Sequence, residues 1–202
     1  MNLTNFLRLA AFALVAAFTG AQAATPAPAP PAKPPPPPVV IFTTSMGEID
    51  VQLDPDHSPI TTANFLAYVD KKFYDGTIFH RLIRGFIAQG GGFMPGMVEK
   101  KPLFPPIKNE SDNDVINYNC RLAMARGADP NSATSQFFFD IGDHQDLDPS
   151  THGLGYTVFG VITKGIEVLY KMSDVPTATV GQYENVPVTP IVLISVTRAP
   201  VK

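Results

Sequence analysis

Residues 24–38 read ATPAPAPPAKPPPPP and hold nine of the chain's 21 prolines. Proline has no backbone N–H and a φ fixed near −65°, so a run this dense can be neither a helix nor an inner strand. It is expected to run as extended polyproline II, about 3.1 Å per residue, and to act as a stiff linker. A ligand for a polyproline-binding partner has the same composition and stays open as an alternative. The tract divides the chain. Any packed core must form from residues 39–202, a length ample for one domain.

What precedes the tract reads as an address. Residues 1–23 contain a single charge, Arg8, then an apolar run from Leu9 to Phe18, then Ala21-Gln22-Ala23. A basic start, a short apolar stretch and small residues at an A-x-A site describe a secretory signal peptide, cleaved here after Ala23. A membrane anchor needs roughly 20 apolar residues, so no stable membrane insertion is expected. Export to the periplasm, with 24–38 as a linker before a domain at 39–202, is the expected layout.

Composition narrows the function. A formal charge of −3 gives no basic face for nucleic acid. One cysteine leaves no intrachain disulfide and no Cys-based zinc site. The four histidines (57, 80, 144 and 152) lack metal-ligand spacing, and His144 and His152 are expected to be solvated in a polar loop. There is no G-x-S-x-G elbow, Walker loop, H-E-x-x-H or dinucleotide fingerprint, so no cofactor and no metal are expected. Gly90-Gly91-Gly92 follows a strand with no helix behind it, which points to close backbone approach more than to a phosphate cradle. Asn109-Glu110-Ser111 matches a glycosylation sequon, a pattern frequent by chance. Cys120 reads either as a reactive thiol or as a small buried hydrophobe.

Strand periodicity dominates the rest. Val39, Ile41 and Thr43 alternate, a turn falls at Met46-Gly47, and Ile49, Val51 and Leu53 alternate again. Ser58-Pro59 opens a helix, with Ser58 as its cap and Ile60, Phe65, Leu66 and Val69 on one side. Further strands are expected at 77–83, 86–89, 122–125, 136–141, 157–162 and 191–196, and a short helix at 164–172. Residues 90–121 show no clean period and read as a long, functional loop. Many strands around few helices imply a mainly β fold, a closed or nearly closed antiparallel barrel.

Alternation along 79–83 puts Phe79, Arg81 and Ile83 on one face, opposite His80 and Leu82. Next, Phe86 and Ala88 pair opposite Ile87 and Gln89; Gln136 and Phe138 lie opposite Phe137, Phe139 and Ile141. Two amides, a guanidinium and several apolar groups on a barrel wall would make a groove for an extended peptide. Ordinary core with a surface arginine is the competing reading.

The same residues carry a resemblance. YDGTIFHRLIRGFIAQGG (74–91), NES (109–111), LAMAR (122–126), NSATSQFFF (131–139), LD (147–148) and YTVFG (156–160) resemble the cyclophilin family of peptidyl-prolyl cis-trans isomerases. GQYENVPVTPIVL (181–193) is similar to its exported bacterial branch. The resemblance implies a mainly β fold, an eight-stranded closed antiparallel β-barrel capped by two α-helices. It implies a non-covalent, metal-independent isomerase, expected as a monomer, acting on X-Pro bonds of unfolded or extended exported polypeptides. By position, Arg81 matches the catalytic arginine. Phe86, Ile87, Phe138 and Leu147 match the pocket for the proline ring, and Gln89, Ala125 and Gln136 match the peptide groove. Tyr156 stands where many members carry histidine. Asp146 stands where many carry tryptophan, making one wall more polar, and Cys120 stands where they usually carry glycine. A non-catalytic peptide-binding or chaperone module, tethered by the proline-rich spacer, is the alternative function.

Overall fold

The computed structural model describes residues 36–150 and 153–200. The expected signal peptide (residues 1–23), residues 24–35 of the expected linker and His152 lie outside the described residues. From Pro38, whose carbonyl accepts the Leu53 amide at 2.8 Å, the chain is fastened to the fold.

Twelve strands and two helices follow in order. The strands β1 (Val39–Thr44) and β2 (Gly47–Leu53) form a hairpin, and α1 (Pro59–Asp70) comes next. Then come β3 (Ile78–Ile83), β4 (Ile87–Gly90), and the two-residue strands β5 (Phe93–Met94) and β6 (Val98–Glu99). After β7 (Arg121–Met124) and β8 (Phe137–Asp140), a 3-10 turn spans Gln145–Leu147. The chain ends with β9 (Val158–Lys164), α2 (Ile166–Ser173), β10 (Thr177–Val180), β11 (Tyr183–Pro187) and β12 (Ile191–Arg198). Eight strands close into a barrel in the order β1-β12-β3-β4-β8-β7-β9-β2. Every pair around it is antiparallel. The expected fold class is the observed one.

The barrel is solid. Phe42, Phe65, Phe79, Phe137, Phe139 and Phe159 are fully buried, in edge-on or offset contacts such as Phe42–Phe137 at 5.4 Å. Such ring pairs add about 0.5–1.5 kcal/mol each beyond their burial. Phe65 comes from α1, and α2 supplies Val168, Leu169 and Met172 to the same core. With its interior filled, the barrel can offer a ligand only its outer surface.

Several expectations about elements are corrected. The buried face of β1 is Val40, Phe42 and Thr44, opposite in phase to the Val39, Ile41, Thr43 set. Ile60 of α1 is exposed, because Thr61, Thr62 and Asn64 take buried positions on the helix instead. The Ser58 hydroxyl does not cap α1; it donates to the Val158 carbonyl at 2.6 Å. Glu110 does that work from fifty residues away. Its carboxylate accepts the Ile60 and Thr61 amides at 3.0 and 2.8 Å, and the Thr61 hydroxyl at 2.8 Å. Residues 90–121 contain the β5–β6 hairpin rather than unbroken loop. Asn109 is buried, its amide donating to the carbonyls of Pro130 and Gly155, so the sequon is a structural joint.

Candidate functional site

A row of paired residues crosses the outside of the barrel. Arg81 on β3 faces Gln89 on β4, Gln89 faces Phe138 on β8, and Phe138 faces Ala123 on β7. Adjacent strands lie about 4.8 Å apart, so the row sets a guanidinium, an amide and an aromatic ring side by side. This is an outward row. The flanking residues Ala88, Phe137 and Phe139 point into the core.

Strict alternation fails where β3 enters this row. Phe79 pairs with Gly90 and Arg81 with Gln89, so β3 carries one extra residue, His80, against a single step of β4. This β-bulge lets Phe79 and Leu82 both reach the core while Arg81 stays on the outer surface, half-buried. Phe79 and Arg81 therefore do not share a face. Phe86, just ahead of β4, likewise leaves Ala88 and packs with Ile87 on the outside.

The apolar part of the site is a separate buried cluster of Ile87, Ala123, Ala125, Phe138, Leu147 and Val158, with Phe86, Val115 and Tyr156 packed against it. It gathers all six apolar or aromatic residues singled out from the sequence. Each is placed by a local device. Leu147 ends the 3-10 turn, and its carbonyl accepts the Tyr156 amide at 2.8 Å. Asn117 ties that turn down by donating from its side chain to Leu147 O, Tyr156 O and Asp148. Tyr156 stands edge-on to Phe138 at 5.4 Å. Arg126 lies over the Tyr156 ring at 4.7 Å and donates to the carbonyls of Leu154 and Gly155.

The polar part runs alongside. Arg81 donates to Gln89 Oε1 at 3.4 Å, and Gln89 Nε2 donates to Gln136 Oε1 at 2.9 Å. The long Arg81 bond is its single side-chain hydrogen bond among the described residues, so most of its five N–H donors are free. The glycine run sits beneath these amides. A Cβ on Gly92 would lie 2.5 Å from the Gln136 amide carbon, and Gly91, at φ +82°, has ring atoms of Phe137 and Tyr74 at 2.9 Å from where its Cβ would be. Close approach is the reason for glycine here.

The sequence reading missed three contributors. Asn117 and Arg126 hold the rim, and Arg126 lay inside LAMAR, so the motif could have drawn attention to it. His144 is half-buried rather than solvated, its ring edge-on to Phe86 at 4.6 Å. Asp146 is exposed beside it and adds nothing to the buried cluster. Cys120 is buried at φ +66°, a left-handed conformation suited to glycine. Among the described residues, no group of three or more His, Cys, Asp or Glu side chains is arranged to hold a metal ion. Nor is any helix among them long and apolar enough to cross a membrane.

Comparison with known proteins gives a consistent picture. The sequence pattern of the family described as "Cyclophilin type peptidyl-prolyl cis-trans isomerase/CLD" matches residues 39–198. Peptidyl-prolyl cis-trans isomerase A of Dickeya dadantii is 48% identical over 156 residues, 77% of this chain and 82% of that protein. Peptidyl-prolyl cis-trans isomerase B of Escherichia coli is 43% identical over 162 residues, 79% of this chain and 98% of that one. A crystal structure of a Cryptosporidium parvum cyclophilin type isomerase, obtained in the presence of the dipeptide Ala-Pro, superposes with a TM-score of 0.69. It is 26% identical and covers 80% of this chain and 99% of its own.

Proposed function

The chain belongs to the cyclophilin-type peptidyl-prolyl cis-trans isomerase family and is itself such an isomerase, and from that premise we propose that the outer-face row and cluster are its active site, with Arg81 as the catalytic residue. The observation that carries this reading is a nearly unpartnered guanidinium set in register beside an apolar surface patch.

Rotation about a peptide bond faces a barrier of about 18–20 kcal/mol because amide resonance must be broken. In the twisted state the prolyl nitrogen becomes pyramidal and regains a lone pair. Arg81 donates a hydrogen bond to that nitrogen, a contact absent from either planar ground state, so it lowers the barrier instead of merely tightening binding. The pyrrolidine ring sits against Phe86, Ile87, Phe138 and Leu147, and Ala125 and Tyr156 lie beside them in the same cluster. Gln89 and Gln136 hold the peptide backbone, so one side of the rotating bond is fixed while the other turns. No bond is made or broken to the protein. Arginine suits the task because its charge is permanent and its donors lie in a rigid plane.

An exchange assay on a proline peptide tests the assignment. Arg81→Ala is expected to lose about a hundredfold or more in kcat/KM, the usual scale for removing a transition-state donor. Arg81→Lys is expected to bind the peptide yet turn it over slowly. Full turnover by either variant overturns the role.

The layout of the chain extends the reading. Residues 1–23 are a signal peptide cleaved after Ala23, residues 24–38 a stiff linker, and the isomerase domain 39–202 works in the periplasm on exported, proline-containing polypeptides. The length of the apolar run and the A-Q-A site support export. The domain's use there is assistance to folding, since uncatalysed X-Pro exchange takes tens of seconds or more.

A further inference from the structure

Arg81 and Gln136 line a second cleft, of about 440 Å³, next to the row just described. Its buried base is His80 and Phe93, and its opposite wall is Gln182, Tyr183 and Glu184 at the turn of the β10–β11 hairpin. The rings of His80 and Phe93 lie 4.5 Å apart and those of Phe93 and Tyr183 lie 5.2 Å apart, giving a continuous aromatic surface from base to rim.

The cleft is polar in a way the fold itself does not use. His80 is 5% exposed, and its Nδ1 has no hydrogen-bond partner among the described residues. Burial and the Arg81 charge hold its imidazole neutral, with a pKa lowered to about 4. Gln182 and Glu184 are exposed, and no hydrogen bond or ion pair engages their side chains among the described residues. A buried polar atom left unpaired costs stability, and two unengaged groups stand across from it.

Two charges compete for whatever enters. Arg81 keeps only the long bond to Gln89 and, on the reading above, turns to the rotating prolyl bond. Glu184 is occupied by nothing. A side chain with an apolar stem and a cationic end fits this gradient: the stem lies on the rings and the charge reaches the rim, away from Arg81. The neutral His80 adds no repulsion. We propose that the cleft is a second substrate subsite that receives a lysine or arginine side chain from a residue flanking the proline, with Tyr183 under its stem and Glu184 against its charge. The proposal rests on the outer face around Arg81 being the active site.

The test uses alanine-based proline peptides with lysine or glutamate placed in turn at each of the two positions on either side of the proline. At one of these positions lysine is expected to exceed glutamate in kcat/KM by about two- to fivefold, the range for an exposed ion pair. Glu184→Gln should bring that ratio close to one, and Glu184→Lys should invert it. A wild-type ratio of one at every position, or a ratio that survives Glu184→Lys, overturns the subsite. The same peptides titrated into Arg81→Ala, followed by the amide resonances of 182–184, report the preference without turnover. Resonances that the lysine peptide leaves unmoved also overturn it. Undiminished turnover in Arg81→Ala instead refutes the catalytic assignment, and the lysine-to-glutamate ratio still judges the subsite.

Discussion

Asp140, the last residue of β8, has both carboxylate oxygens buried with no hydrogen-bond partner among the described residues. Burial, and then the nearby Asp148, push its pKa from the ordinary 3.8 up to about 8, so the folded protein keeps it protonated at neutral pH. The unfolded chain releases that proton near pH 4. The contribution to stability is therefore complete below that point and declines as pH rises towards 8. His80 works in the opposite sense: its folded pKa is depressed, so its contribution is present above 6.5 and lost as pH falls towards 4. Above pH 6.5 the Asp140 effect stands alone of the two. Between about pH 6.5 and 8 the wild type should lose on the order of 2 kcal/mol, read as a falling Tm, and Asp140→Asn should remove most of that slope, the raised pKa of exposed His57 leaving a smaller fall of the same sign. Parallel Tm profiles for the two proteins would refute it. Nothing in the sequence marks this residue, because alternation over 136–141 puts Asp140 on the face of Gln136 and Phe138, where an outward carboxylate is unremarkable. Arg81, Phe138 and Gln136 were drawn out by the family resemblance of the runs around them, since alternation alone left ordinary core with a surface arginine equally open.

At the scale of elements, strands were easier to find than their faces. Alternation located β3, β4 and β8, yet one extra residue at His80 changed the partners of Arg81, and no local propensity signals such a bulge. The β10–β11 hairpin escaped notice because β10 is exposed along its whole length and carries no buried stripe. Helix α1 shows the same limit in another form. Its cap is not the serine that precedes it but Glu110, which meets it only through the tertiary fold. Glu110→Ala is expected to destabilise the protein by about 1–2 kcal/mol, seen as a lower urea midpoint at unchanged slope, and Glu110→Gln should recover part of it. An unchanged midpoint in Glu110→Ala would show that the Glu110 contacts add no net stability to α1.

At the scale of the whole molecule, the proline tract was informative from the start, because it told which residues had to supply the core. The export reading is checked there too. Protein recovered from the periplasm should begin at Ala24, as read by N-terminal sequencing, and a chain that still begins at Met1 would show that the leader is not removed. The closed order of the eight barrel strands has one more consequence. Each of those strands has a neighbour on both sides, so the barrel has no edge strand. Extended chains in search of a partner strand add to exposed sheet edges, and that is how aggregates are seeded. An isomerase whose substrates are extended proline-containing segments meets such chains continually. The barrel wall therefore gives such a chain no edge strand to stack on, and the open edges among the described residues are confined to the short β10–β11 and β5–β6 sheets.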